Sequence, residues 1–243
     1  MFCLICNQPI TEITTWSSLF TLTSQKSQPK ICQQCNQKLE PIIGDQCRIC
    51  SRPFSKLESK FRIQDLCNDC YNWEHHTEWQ GLLTQNISVY YYNDFLKNTL
   101  AQFKFRGDHE LVRIFTEPMQ RKFKQTFDQK KPPMIIPVPL SPERLYERGF
   151  NQAQSLASLF NLPIEDILTR KHTEKQSKKK RTERLSKDSP FHLKPNISIK
   201  KYQNQHLLLV DDIYTTGTTI RQIAKTLQIL SPNSIKSFTL VRS

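Results

Sequence analysis

Glycine is scarce in this chain: only Gly44, Gly81, Gly107, Gly149 and Gly217 occur among 243 residues. A Walker A loop needs two glycines five positions apart before Lys-Ser/Thr, and a dinucleotide fingerprint needs three within six residues. Neither can be written from these positions, which excludes a P-loop nucleotidase and a Rossmann-type dehydrogenase. Long apolar runs are also missing, and none approaches the roughly eighteen residues of a membrane span. The first residues, Met1-Phe2-Cys3-Leu4-Ile5-Cys6, lack both the basic start and the apolar segment of a secretory leader. No cysteine occurs beyond Cys70. The expectation is a cytoplasmic chain with reduced thiols and no membrane insertion.

Positive charge is abundant. Lys and Arg number 35 against 22 Asp and Glu, a formal net charge of +13. Two zinc ions on eight thiolates would lower this to about +9 and leave the chain basic. Such a balance attracts polyanions or phosphate-rich small molecules.

All eight cysteines fall in C-x-x-C pairs: Cys3/Cys6, Cys32/Cys35, Cys47/Cys50 and Cys67/Cys70. Each turn aims two thiolates at one metal, and two turns complete a tetrahedral zinc site with no position left for substrate. Sixteen residues separate Cys50 from Cys67, inside the zinc-ribbon window. Twenty-five separate Cys6 from Cys32, a gap that an ordered insertion would fill. Paired in order, the ligands make two structural sites, Cys3, Cys6, Cys32, Cys35 and Cys47, Cys50, Cys67, Cys70. Spacing alone leaves open an interleaved arrangement in which Cys32/Cys35 meet Cys47/Cys50. Redox catalysis fits poorly, because four copies occur without a surrounding βαβ pattern. The segment is too poor in apolar residues to fold well alone, so zinc would supply its missing core. His75 and His76 are expected at the surface, because thiolates already fill the sites.

The most specific chemistry lies near the C-terminus. Leu207-Leu208-Leu209-Val210 reads as a strand buried in a parallel sheet. It stops at Asp211-Asp212, and Thr215-Thr216-Gly217-Thr218-Thr219 leads into a helix marked by Ile220, Ile223, Ala224, Leu227 and Leu230. Ligands of open α/β sheets bind beyond the carboxyl ends of strands, where this turn falls. Hydroxyls and unpaired N–H groups at a helix start suit a phosphate monoester, and Gly217 lets the backbone approach it. Ionised Asp211 or Asp212 could accept both hydroxyls of a ribose. Together these groups describe a ribose 5-phosphate site. An ordinary N-cap would explain one hydroxyl and not four.

The stretch closely resembles the phosphoribosyl-pyrophosphate (PRPP) motif of type I phosphoribosyltransferases. Pro137-Val138-Pro139-Leu140, followed by Arg148-Gly149-Phe150-Asn151-Gln152, resembles a signature of the ComF family, competence protein F and its GntX-like relatives. With the N-terminal cysteine pairs, the resemblance spans nearly the whole chain. It implies that Asp211 and Asp212 hold the ribose hydroxyls and a bridging Mg²⁺, and that Thr215, Thr216, Gly217, Thr218 and Thr219 hold the 5-phosphate. It also implies that Lys104, Arg106 and Gly107 form the pyrophosphate loop, with Arg148, Gly149, Asn151 and Gln152 at the ligand edge. On its own, Lys104-Phe105-Arg106-Gly107-Asp108 reads equally as a helix C-cap with basic residues in its last turn.

Between Arg170 and Lys187 nine Lys/Arg face two Glu, a net +7 without apolar periodicity. This is expected to be a mobile loop or exposed helix. The resemblance implies a loop closing over pyrophosphate, carried by Gln176, Lys179, Arg181 and Arg184. Charge alone, with Lys178 and Lys180, suggests a track for single-stranded nucleic acid with strong salt dependence. The two uses are compatible, and a merely solubilising loop is the bland alternative.

Elsewhere the pattern predicts a connector over residues 71–86 anchored by Trp73 and Trp79, and a strand over 87–92. A helix through Phe95, Leu96, Leu100 and Phe103 is capped by Asn93 or Asp94. A second helix is expected from Asp108 to Phe127, bent at Pro118. A strand over 134–140, a helix over 153–160 and a last strand over 235–241 complete the reading. The expected fold is α/β, a type I phosphoribosyltransferase-like, mostly parallel sheet flanked by helices (85–243, with a flexible basic loop over 170–190). A small Cys-rich module, a double zinc ribbon, precedes it (1–72). Three functions compete. The first is a competence factor handling incoming single-stranded DNA, with a Mg-PRPP site of catalytic or regulatory use. The second is a nucleobase-salvage phosphoribosyltransferase. The third is a zinc adaptor docking a competence helicase-like protein, with a vestigial PRPP site.

Overall fold

The computed structural model describes residues 1–10, 29–105, 108–171 and 189–243. The Cys-rich segment contributes short elements only: α1 (Gln33–Gln37), a hairpin of β1 (Arg62–Ile63) and β2 (Leu66–Cys67), and α2 (Asn68–Glu74). The rest alternates strands and helices. β3 (Gln85–Tyr91) leads to α3 (Asp94–Phe105) and α4 (Thr116–Thr126), then to β4 (Met134–Pro137), α5 (Pro142–Arg148) and α6 (Gln152–Ser158). A small antiparallel pair follows, β5 (Leu168–Arg170) with β6 (Phe191–Leu193). The chain ends with α7 (Ile199–Tyr202), β7 (His206–Tyr214), α8 (Thr218–Leu227) and β8 (Ser234–Arg242).

The central sheet is parallel throughout, in the order β3-β8-β7-β4. Its helices lie on both faces, as parallel crossovers require. Successive side chains of a strand point to opposite faces. Leu207 and Leu209 accordingly pack with α8 and the Cys47 group, whereas Leu208 and Val210 pack with α3, α4 and α6. All four are buried, each contributing roughly 2 kcal/mol of hydrophobic stabilisation.

Two expectations are corrected here. β7 does not stop at Val210. It runs on to Tyr214 because β8 continues beside it, pairing Ile213 with Val241 and Tyr214 with Arg242. Asp211 and Asp212 therefore sit inside a strand. The helix expected from Asp108 to Phe127 is instead a 3₁₀ segment, His109–Phe115, followed by α4. Pro118 has no N–H, and its ring would clash with the carbonyl four residues earlier, so it is accommodated in the first turn of a new helix.

The Cys-rich segment is seated on the sheet. Residues 40–42 run along the outer edge of β3, with Tyr91 N–H donating to the Glu40 carbonyl (2.8 Å) and Ile42 N–H to that of Val89 (2.9 Å). This covers an edge that would otherwise be open to pairing. Asn86 ties the Cys50 turn to the sheet. Its N–H donates to the Ile49 carbonyl (2.6 Å), its Nδ2 donates to Ser88 Oγ (2.8 Å), and its Oδ1 accepts from Ser237 Oγ (2.8 Å). Trp73 and Trp79 are buried edge-to-face, 5.4 Å apart, while His75 and His76 are exposed. No helix among the described residues is long and apolar enough to cross a membrane.

Candidate functional site: a phosphate loop and a guanidinium cluster

The ends of β7 and β4 lie side by side, and the segments that follow them enclose a cavity of about 190 Å³. On the β7 side, burial and the neighbouring Asp212 carboxylate push the Asp211 carboxyl well above the usual carboxylate range. Its Oδ1 accepts the Asp212 N–H (2.9 Å). Lys104, in the last turn of α3, reaches into the cavity and forms an ion pair with Asp212. Lys104 thus meets an acid of the β7 end, while Arg106 and Gly107 lie outside the described residues.

The loop after β7 turns at Gly217, which has a φ of +80° and forms the N-cap of α8. A Cβ at this position would collide with the Tyr214 hydroxyl beneath it, so the loop needs glycine for space as well as for conformation. Thr215 and Thr216 are exposed, Thr218 and Thr219 are partly so, and Thr219 lines the cavity. Thr216 Oγ1 accepts the Thr218 N–H (3.4 Å) and lies 2.9 Å from Thr218 Oγ1.

The opposite wall follows β4. Val138 N–H donates to the Val210 carbonyl (2.9 Å), then Pro139 takes the chain out of the sheet. Ser141 caps α5, Gly149 ends it with a φ of +76°, and Asn151 caps α6 by accepting the Ala153 N–H (3.0 Å). Asn151 Nδ2 also donates to the Val138 carbonyl (3.0 Å). Asn151 therefore fastens the elbow between α5 and α6 to the end of β4. This elbow presents Arg144 and Arg148 to the cavity, and β5 adds Arg170. Burial draws both Arg148 and Arg170 below the usual guanidinium value, and the nearby Arg144 repels each of them. Gln152 accepts from Arg148 Nη1 (2.9 Å), while its own buried Nε2 has no partner among the described residues. Three like charges and a spare amide donor give this wall a chemistry suited to an anion.

In the sequence Arg144 has no assigned role, and Arg170 stands out only within a charge run. Neither had a local signal, because the fold alone brings residues 144, 148 and 170 together. Gln176, Lys178, Lys179, Lys180, Arg181 and Arg184 lie outside the described residues.

The eight cysteines fall into two groups, Cys3, Cys6, Cys32, Cys35 and Cys47, Cys50, Cys67, Cys70, with the sulfurs of each group within 4.8 Å of one another. The geometry thus resolves the pairing in chain order. Zn–S bonds of about 2.3 Å place tetrahedral sulfurs about 3.8 Å apart. The Cys6–Cys32 and Cys50–Cys67 distances, 3.7 and 3.6 Å, fit that spacing. Four soft thiol ligands per group suit zinc, and each group could hold one ion. The oxygen donors of Asp211 and Asp212 form a hard set that suits Mg²⁺.

Comparison with known proteins matches residues 109–243 to the family described as phosphoribosyl transferase domain. Over 244 aligned residues the chain is 40% identical to Competence protein ComFC of Bacillus subtilis, covering 100% of this chain and 95% of that protein. It is 32% identical to Competence protein ComFC of Streptococcus pneumoniae, with 100% of both chains covered. The chain belongs to the ComF family. A DNA utilization protein, YhgH of Escherichia coli O157:H7, is 25% identical over 88% of this chain and 98% of its own length. Membership agrees with the parallel phosphoribosyltransferase-type sheet and with the two Cys₄ groups that precede it. Lys104, Arg106 and Gly107 precede the matched stretch, whereas Arg144, Arg148, Arg170 and the loop after β7 lie within it.

Proposed function

We propose that this ComF-family protein serves DNA uptake in natural competence, binding Mg-PRPP in the cavity between β7 and β4 and holding single-stranded DNA on its basic surface. The observation that carries the reading is one cavity with an acid pair and a hydroxyl-rich helix start on one wall and three guanidinium groups on the other. Thr215, Thr216, Gly217, Thr218 and Thr219 receive the 5-phosphate, whose charge favours the N-terminal end of α8. Asp211 and Asp212 accept the ribose hydroxyls. Arg144, Arg148 and Arg170, with the Gln152 amide, receive the pyrophosphate, and Lys104 balances the acid pair beside it. Asp211 and Asp212 would also hold a Mg²⁺ ion, which would supply Lewis-acid stabilisation of the pyrophosphate charge. The guanidinium groups stabilise the same charge, which keeps PRPP bound and also favours pyrophosphate as a leaving group. The competence role is supported by the ComFC relatives, and the DNA role by the YhgH relative and the net charge of +13.

The two walls can be tested separately. Arg144→Gln with Arg148→Gln should weaken Mg-PRPP binding about a hundredfold in calorimetry, while ribose 5-phosphate, which lacks the pyrophosphate, binds nearly as before. Equal losses for both ligands, or no loss for either, would contradict the assignment. For DNA, changing Lys178, Lys179, Lys180 and Arg181 to Ala should lower the salt slope of binding to a labelled single strand by about 3. An unchanged slope removes the basic segment from the DNA site.

A further inference from the structure

The Cys-rich module holds the phosphate loop from below. Trp73, buried at the end of α2, donates its indole N–H to the carbonyl of Thr216 (2.9 Å). Backbone peptides here are trans, so the C=O of Thr216 and the N–H of Gly217 point in opposite directions. Fixing that carbonyl on the module turns the Gly217 N–H to the other side of the loop. The next residue, Glu74, accepts from Arg221 Nη2 (3.3 Å). Arg221 is fully buried on α8, lies 4.9 Å from the Trp73 ring, and donates from Nη1 to the Tyr214 hydroxyl (2.7 Å). That hydroxyl is the atom against which Gly217 is packed. One dipeptide, Trp73-Glu74, therefore touches the loop carbonyl, the loop helix and, through Arg221, the strand end.

The position of that dipeptide depends on the second cysteine group. Cys67 occupies the N-cap position of α2 and Cys70 lies within it, one turn before Trp73 and Glu74. Arg242, also buried, bridges the same assembly by donating to the Tyr214 carbonyl (3.3 Å). A zinc ion on four thiolates is a net anion, and two buried guanidinium groups beside it provide balancing charge that neither side would find in an apolar core.

We propose that the Cys47/Cys50/Cys67/Cys70 site and the phosphate loop form one linked unit in which Trp73 and Glu74 are positioning residues. Metal occupancy at the cysteines orders residues 215–219, and ligand binding at the loop tightens the hold on the metal, as reciprocal linkage requires. The ligand half rests on the reading of the loop as a phosphate site, and the ordering half does not.

The test is hydrogen exchange of peptides spanning residues 213–220 in the zinc-loaded full chain. Trp73→Phe keeps the ring and loses the donor, and Glu74→Gln keeps the shape and loses the charge. Each should speed exchange of the 215–219 amides up to about tenfold, the loss expected for one hydrogen bond, with zinc content unchanged. Glu78→Gln removes an exposed ion pair between the module and α8 (Glu78–Lys225, 2.9 Å) and should leave the loop as in the parent. Mg-PRPP should slow zinc transfer to a chelator about tenfold in the parent and much less in Trp73→Phe. Parent-like exchange in both Trp73→Phe and Glu74→Gln, with zinc retained, overturns the proposal. Should the parent bind no Mg-PRPP, the phosphate reading fails, and the exchange data alone decide for or against loop positioning.

Discussion

Asp211 and Asp212 occupy consecutive positions of β7, with Lys104 paired to Asp212. Burial and its neighbour raise the carboxyl pKa of Asp211 in the folded state. The folded chain then binds a proton that the unfolded chain has released, so stability falls as pH rises above the ordinary carboxylate value. Asp211→Asn removes the titrating group and keeps the shape. Scanning calorimetry of the ligand-free protein near neutral pH should show a Tm raised by a few degrees, about 1 kcal/mol, with a flatter decline toward alkaline pH. An unchanged or lower Tm would contradict the repulsion inferred for the pair. Residues that lose stability for the sake of a ligand are expected at a binding site.

At the scale of elements, the elbow between α5 and α6 sets the guanidinium wall. Asn151 closes it with two hydrogen bonds, one capping α6 and one to the end of β4. Asn151→Ala should cost about 1–2 kcal/mol in urea denaturation, the range for a lost cap, and should loosen PRPP binding because Arg148 lies three residues earlier. A loss below about 0.3 kcal/mol would mean that the elbow is held by other contacts, among them the Phe150–Phe103 pair at 5.4 Å. Elements with local signals were legible in the sequence. The apolar run of β7, the hydroxyl loop and the helical period of α8 each lie within a few residues of one another, and the cysteine spacing announced two metal groups. Long-range partners decided what was not legible. The end of β7 depends on β8, and the Arg144–Arg148–Arg170 cluster depends on the segment before β5, which pairs with β4 (Glu165 N–H to the Ile135 carbonyl, 2.8 Å). The bond from Trp73 to Thr216 spans 143 positions. Pro118 was read as a bend, although a proline in the first turn starts a helix more readily than it bends one.

For the whole molecule, the Cys-rich module and the sheet share one hydrophobic cluster, in which Cys47, Cys50, Cys67 and Cys70 pack with Leu83, Tyr214 and the apolar face of α8. The second cysteine group, the loop after β7 and the cavity are therefore contiguous through shared packing and the Trp73–Thr216 bond. The central claim is that this cavity is a PRPP site. Its most direct test is calorimetric titration of the zinc-loaded protein with Mg-PRPP, set beside the same titration of Asp211→Asn plus Asp212→Asn. Saturable binding by the parent, weakened at least about a hundredfold in a double variant that melts no lower than the parent, is the predicted result. No binding by the folded parent, or equal affinity in the double variant, would contradict it.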